Sequence, residues 1–127
     1  MKNKNYRNIL VLITDGYIYH DYSKDIINNR SAYLTPKLIV ANNFRNPNWE
    51  NKFKTGDYGF ITKRSDLSNL DILVLEINPE KQYRNDEDII KAYLSKWFDE
   101  MNVNYYKLYN SDIPKYTKTR INNFLNP

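Results

Sequence analysis

Two nearly unbroken apolar runs do most to narrow what this chain can fold into. Ile9-Leu10-Val11-Leu12-Ile13 leads into Thr14-Asp15-Gly16, and Asp71-Ile72-Leu73-Val74-Leu75-Glu76-Ile77 leads into Asn78-Pro79. An amphipathic helix, or a strand with one wet face, leaves polar residues at regular intervals. A run without them fits a strand covered on both faces, as in parallel sheets. The first run therefore predicts a buried parallel strand over Asn8 to Gly16 at the centre of a small α/β domain. The second predicts another central strand, with Pro79 placed to end it rather than to interrupt its ladder.

Between Asp88 and Met101 the period changes. Ile89, Ile90, Tyr93, Leu94, Trp97, Phe98 and Met101 follow the three-four spacing of one helical face, and Glu87, Lys91, Ser95, Lys96, Asp99 and Glu100 occupy the other. Asp86 is the expected N-cap, with further acidic residues in the first turn where the helix dipole favours them. Asn102-Val103 then turns into Tyr105-Tyr106-Lys107-Leu108-Tyr109, a mixed run suited to a third strand nearer the sheet edge, closed by Ile113-Pro114. A last short helix is expected over Thr117 to Leu125, capped by Thr117 and packing Ile121, Phe124 and Leu125 across the sheet. This order implies right-handed crossovers and a mostly parallel sheet of three to four strands with covering helices.

The stretch from Tyr17 to Leu70 is longer than a crossover requires and reads as an elaboration. Ser31 to Asn42 allows a helix with Pro36 early in it. Asn46-Pro47-Asn48-Trp49 and Thr55-Gly56-Asp57-Tyr58-Gly59 are turn signals, and Lys54 to Ile61 suggests an Ω-like loop. Tyr17, Tyr19, Tyr22, Tyr33, Trp49, Phe53, Tyr58 and Phe60 concentrate here. Exposed, they would form a recognition surface; buried, they would form a satellite core under the long connection.

A length of 127 residues suits one domain over 1–127, and 41% hydrophobic residues with 12 Tyr supply a core. Nineteen basic and 15 acidic residues are interleaved, so the net charge of +4 forms no block of the kind that tracks nucleic-acid phosphates, and a nucleic-acid partner is not expected. The absence of cysteine removes disulfides, thiol catalysis and thiolate metal ligation together. No apolar run reaches membrane-spanning length and the first residues lack a signal core, so a cytoplasmic protein without membrane association is the default expectation.

Ligands of an open parallel sheet meet the carboxyl ends of its strands. That rule selects Thr14, Asp15 and Gly16 after the first strand, Asn78 and Glu80 after the second, and Asn110, Ser111 and Asp112 after the third. Asp15 is the most suggestive. Its carboxylate suits a hard cation, and Gly16 lets the backbone turn sharply or approach a ligand; alternatively Asp15 caps the following loop by accepting backbone amides. His20 is the single histidine, with Asp21 and Ser23 close in sequence, but sequence neighbours rarely form a triad. Asp86, Glu87 and Asp88 are explained by their place at a helix start.

With its strand ending in Thr14-Asp15-Gly16, then the strand Ile72 to Ile77, the long helix, a third strand and a terminal helix, the chain resembles the C-terminal half of a von Willebrand factor type A domain, a Rossmann-like architecture. The resemblance implies that Asp15 holds the place of a ligand in a magnesium site, and the strand-end rule puts Thr14, Gly16, Asn78 and Asp112 around the same binding face. The Asp-x-Ser-x-Ser turn that supplies other ligands in that family has no counterpart here; Asp21-Tyr22-Ser23-Lys24-Asp25 and Ser65-Asp66-Leu67-Ser68 match it only in part. A truncated domain of this type would have an incomplete cation site and an exposed sheet edge, and exposed edges recruit a protein partner or a second copy. The expected role is a non-enzymatic binding or assembly module. The alternative is a small metal-dependent hydrolase or phosphotransfer-like enzyme using Asp15, which would need a second carboxylate or a histidine converging on it in a closed pocket.

Overall fold

The run at 70–77 builds the middle of the molecule. In the computed structural model, which describes residues 6–19, 25–83 and 85–126, strand β1 (Asn8–Ile13) and strand β6 (Tyr105–Asn110) flank strand β5 (Leu70–Ile77) in a parallel three-stranded sheet of order β1-β5-β6. Four helices accompany it: α1 (Pro36–Ala41), α2 (Trp49–Thr55), α3 (Asp86–Glu100) and α4 (Pro114–Leu125). The fold class is α/β, as the alternation of strand and helix patterns implied.

The unbroken hydrophobicity of β5 follows from helices on both faces. Ile72 and Val74 face a core shared with Ile90, Tyr93, Leu94 and Phe98 of α3. Leu73 and Leu75 point the other way, onto Phe124 and Ile121 of α4. Strict alternation would turn Glu76 into the α3 core, but Glu76 adopts a left-handed φ of 71° and the pairing with β6 shifts between Val74 and Ile77. This bulge resets the alternation, so that Ile77 packs on the α3 side and Glu76 accepts a hydrogen bond from Ser111 Oγ at 3.1 Å.

The expectation of a buried, central β1 is corrected. β1 pairs only with β5 in the described residues and forms one edge of the sheet. Ile9 reaches the α4 side and Leu12 the α3 side, but Leu10, Val11 and Ile13 keep 46%, 43% and 71% of their surface. The reason is the placement of α4, which lies over β5 and β6, with Phe124 stacked on Tyr105 and Arg120 over the Tyr109 ring. That helix also begins earlier than the sequence suggested. Pro114 takes its first position after Ile113, and Thr117 lies inside it.

The stripe on α3 is buried as its spacing required, from Ile89 to Met101. Its cap differs from expectation: Asn85 precedes the helix, and the Asp86 carboxylate turns inward. With only three glycines in the chain, α1, α2 and α3 each end through a left-handed Asn or Asp, namely Asn43, Asp57 and Asn102. In each case the following amide reaches back across the last turn, Phe44 to Ile39, Tyr58 to Phe53 and Val103 to Phe98. These are Schellman closures whose apolar partners are themselves core residues.

The elaboration is part of the main core. Strands β2 (Ile26–Ile27), β3 (Arg30–Ser31) and β4 (Gly59–Phe60) form a small second sheet of order β2-β3-β4. The expected Ω-like loop over 54–61 is instead the end of α2 and strand β4. Phe44, Phe53 and Phe60 surround Tyr93 of α3 with ring centroids 5.1–6.4 Å apart, so the aromatics of this region mostly build the interior, while Tyr19 stays exposed. Arg30 clamps the small sheet to the end of α3 through Glu100 (2.5 and 2.7 Å) and Asp57 (2.7 Å).

Candidate functional site

The carboxyl ends of β1 and β5 meet as the sequence suggested. Thr14 N–H donates to the Leu75 carbonyl at 3.2 Å, and Asn78 N–H donates to the Asp15 carbonyl at 2.8 Å. The side chains close the turn locally. Thr14 Oγ1 accepts from Gly16 N–H at 3.0 Å, and Asp15 Oδ1 accepts from Tyr17 N–H at 2.9 Å. Gly16 has φ +109°, and a Cβ there would sit 2.7 Å from Ile90 Cγ2 and 2.9 Å from Cδ1. Gly16 is therefore required where the chain crosses against α3, which accounts for it without any ligand.

Asp112 stands apart from this group. Its Oδ1 accepts from Ile113 N–H at 2.8 Å, and its Oδ2 accepts from Arg120 of α4 at 2.9 Å. Asn78 and Glu80 line a cleft of about 330 Å³ with Lys81, Glu87, Asn110 and Ser111. There Glu87 is held below the usual carboxylate range by hydrogen bonds from Asn110 and Lys91. Of the partial matches to the Asp-x-Ser-x-Ser turn, Asp66 is paired with Arg64 and 21–24, like His20, lie outside the described residues.

A magnesium ion takes oxygen donors in a near-octahedral arrangement. Asp15 offers one carboxylate already engaged with the Tyr17 amide, and among the described residues no three His, Cys, Asp or Glu side chains come together as a metal site. Strand order bears on this as well. A crevice opens at the end of a parallel sheet where successive connections leave for opposite faces. Here the elaboration and α3 lie on the same face, sharing one core, and the three strands follow one another without a switch point.

Near the same end lies a cluster that sequence reasoning did not find. Asp86, fully buried, accepts from Tyr17 Oη at 2.5 Å and pairs with Arg45. The Arg45 guanidinium lies 3.8 Å from the centre of the Tyr83 ring, and Tyr17 Oη also accepts from Glu80 N–H at 3.2 Å. Burial, then the Asp86 carboxylate, pushes the Tyr17 hydroxyl well above its ordinary value. The cluster fastens three separated segments. Its only trace in the sequence was the acidic start of α3, which the helix dipole explained equally well.

The feature without an internal explanation is the outer side of β1. The bond from Thr14 N–H to Leu75 fixes the alternation of the strand: even-numbered residues from Asn8 direct their amides and carbonyls at β5, and Ile9, Val11 and Ile13 direct theirs away from the sheet. Among the described residues nothing pairs with that row. Edges usually carry a proline, a bulge or an inward charge that blunts them. Ile9 to Ile13 has none of these. No helix of the described residues is long and apolar enough to cross a membrane.

Fold and site together define a small parallel α/β sheet in which, among the described residues, the β1 edge is apolar and has no neighbouring strand. No family model, curated protein or solved structure matches the chain.

Proposed function

We propose that this chain is a non-enzymatic assembly module that acts by accepting a β-strand of another chain along the outer edge of β1. The observation that carries this reading is the mismatch between the sequence and the position of β1: a strand written for burial on both faces lies at an edge, with Leu10, Val11 and Ile13 largely exposed and the outward amides of Ile9, Val11 and Ile13 without a partner among the described residues. Strand addition satisfies those main-chain groups and covers those side chains in one step. In terms of the type A resemblance, the added strand would stand beside the strand that ends in Thr14-Asp15-Gly16 and extend its sheet.

The enzyme alternative has less support, since the described residues near Asp15 are committed to turn closure rather than converging on a pocket. The reading is tested by placing a photoreactive amino acid at Ile13, exposed at the strand end, and as a control at Lys118, exposed on α4. Irradiation in the native host should give a protein adduct from position 13 and not from position 118. Absence of any adduct from position 13, with the chain folded by circular dichroism, rules the proposal out.

A further inference from the structure

Glu76 is out of place in the middle strand of the sheet. Its φ of 71° is one that glycine and asparagine adopt readily and a long side chain does not, and the pairing with β6 breaks at this point. A glycine at 76 would seat Ile77 in the core just as well. Residues held in such conformations cluster at functional sites, so the glutamate needs a reason of its own.

Its side chain supplies one. Glu76 lines a cleft of about 390 Å³ between the end of β5 and the first turns of α4, together with Pro114, Lys118 and Ile121. That volume lies within the range of small-molecule pockets, about 300–1,000 Å³. Ser111 Oγ donates to Glu76 Oε2 at 3.1 Å and orients the carboxylate. Asp112 lines the cleft too, but its two oxygens already accept from Ile113 N–H and Arg120. Among the described residues neither Glu76 nor Lys118 enters an ion pair, although both face this cleft, so one negative and one positive charge stand apart across it.

We infer that this cleft binds a free α-amino acid with an apolar side chain. The ammonium group of such a ligand meets Glu76, its carboxylate meets Lys118, and its side chain covers Pro114 and Ile121. Both charges of the cleft are then paired, and pairs of this kind are the strong hydrogen bonds of a binding site. A phosphate would meet Glu76 as a like charge, and a hard cation would find one available carboxylate where it needs a set of oxygen donors. The cleft lies over the end of β5, away from the outer side of β1, so it stands whether or not a strand is added there.

Titration calorimetry on the full chain tests the inference, with L-leucine as the probe. Leucine should bind with saturable heat in the millimolar range or below. N-acetyl-L-leucine lacks the ammonium and L-leucinamide lacks the carboxylate. Each should bind about tenfold more weakly or not at all, the loss expected for one charged contact. Glu76→Gln should weaken leucine to the same degree and leave N-acetyl-L-leucine unchanged; Lys118→Met should weaken leucine and leave L-leucinamide unchanged. The three ligands on the unmodified chain decide the matter even where a variant fails to fold. No saturable heat from leucine, or equal affinity for leucine, N-acetyl-L-leucine and L-leucinamide, overturns the inference.

Discussion

Replacing Gly16 by alanine tests the local logic of the Thr14-Asp15-Gly16 turn most sharply. The added Cβ meets Ile90 Cγ2 at 2.7 Å and Cδ1 at 2.9 Å, and Ile90 is fully buried, so it has no solvent to retreat into. The backbone adds a second cost, because φ +109° lies beyond the left-handed region that a non-glycine residue tolerates. Holding a residue in such a region costs about 1–3 kcal/mol, and forcing an extra methyl into a packed core costs about 1–3 kcal/mol. Together they give a loss of about 2–6 kcal/mol. With about 2.1 cal/mol/K of unfolding entropy per residue over 127 residues, each kcal/mol lowers Tm by about 4 °C. Gly16→Ala should therefore melt about 8–24 °C below the parent chain by calorimetry. The steric share is separable in a double-mutant cycle, since Ile90→Ala makes room for the new methyl. The double variant should be more stable than the sum of the single losses implies, by about 1 kcal/mol or more. A Gly16→Ala chain within 1 °C of the parent, or strict additivity with Ile90→Ala together with a small single effect, would refute both the close approach and the strain.

Two further outcomes concern the electrostatic fastenings. Asp86→Ala removes the carboxylate between Arg45 and Tyr17 and leaves a half-covered guanidinium without its partner, a loss of about 3 kcal/mol; Tyr17→Phe removes one hydrogen bond and should cost about 1 kcal/mol. Urea unfolding midpoints in that order support the buried cluster, and equal midpoints would dissolve it. At the other end of α3, Arg30 draws the Asp57 carboxyl down to about 2 and holds Glu100 below the usual range. Because these folded values are depressed, their contribution is present above pH 4.5 and is lost as pH falls through that value toward about 2. Tm should drop over that window, and Arg30→Met should shrink the drop; an identical acid profile in the variant would remove Arg30 from the account.

What could be read from the sequence follows from how local each signal is. The α3 stripe and β5 announced themselves because their burial comes from elements within the chain, in the periods of helix and strand. The Thr35-Pro36 start of α1 is as local, and its helix was expected from Pro36. α2 was missed because Trp49-Glu50-Asn51-Lys52-Phe53-Lys54-Thr55 buries only Phe53 fully, and a single anchor makes no visible period. The Tyr17–Asp86–Arg45 cluster joins residues 41 and 69 positions apart, a relation that no window of sequence contains. Asp15 follows β1 as its place in the sequence implied, and its carboxylate accepts a backbone amide.

The misplacement of β1 is of another kind. Pattern reasoning infers burial from composition, and composition records every surface a segment meets, whichever chain supplies it. β5 and β1 carry nearly the same pattern, yet β5 has α3 on one face, α4 on the other and a strand at each side, while β1 has a strand at one side and only partial cover. If the apolar character of β1 served only this chain, Leu10, Val11 and Ile13 would tolerate polar residues, and an edge gains solubility from them. These side chains alternate between the two faces of the sheet, where the neighbouring side chains of an added strand would cover part of the surface they still expose. The apolar pattern of β1 and its place at an edge are reconciled under the strand-addition proposal, which is why that edge, and not the carboxylate at its end, is where the proposed function should be tested.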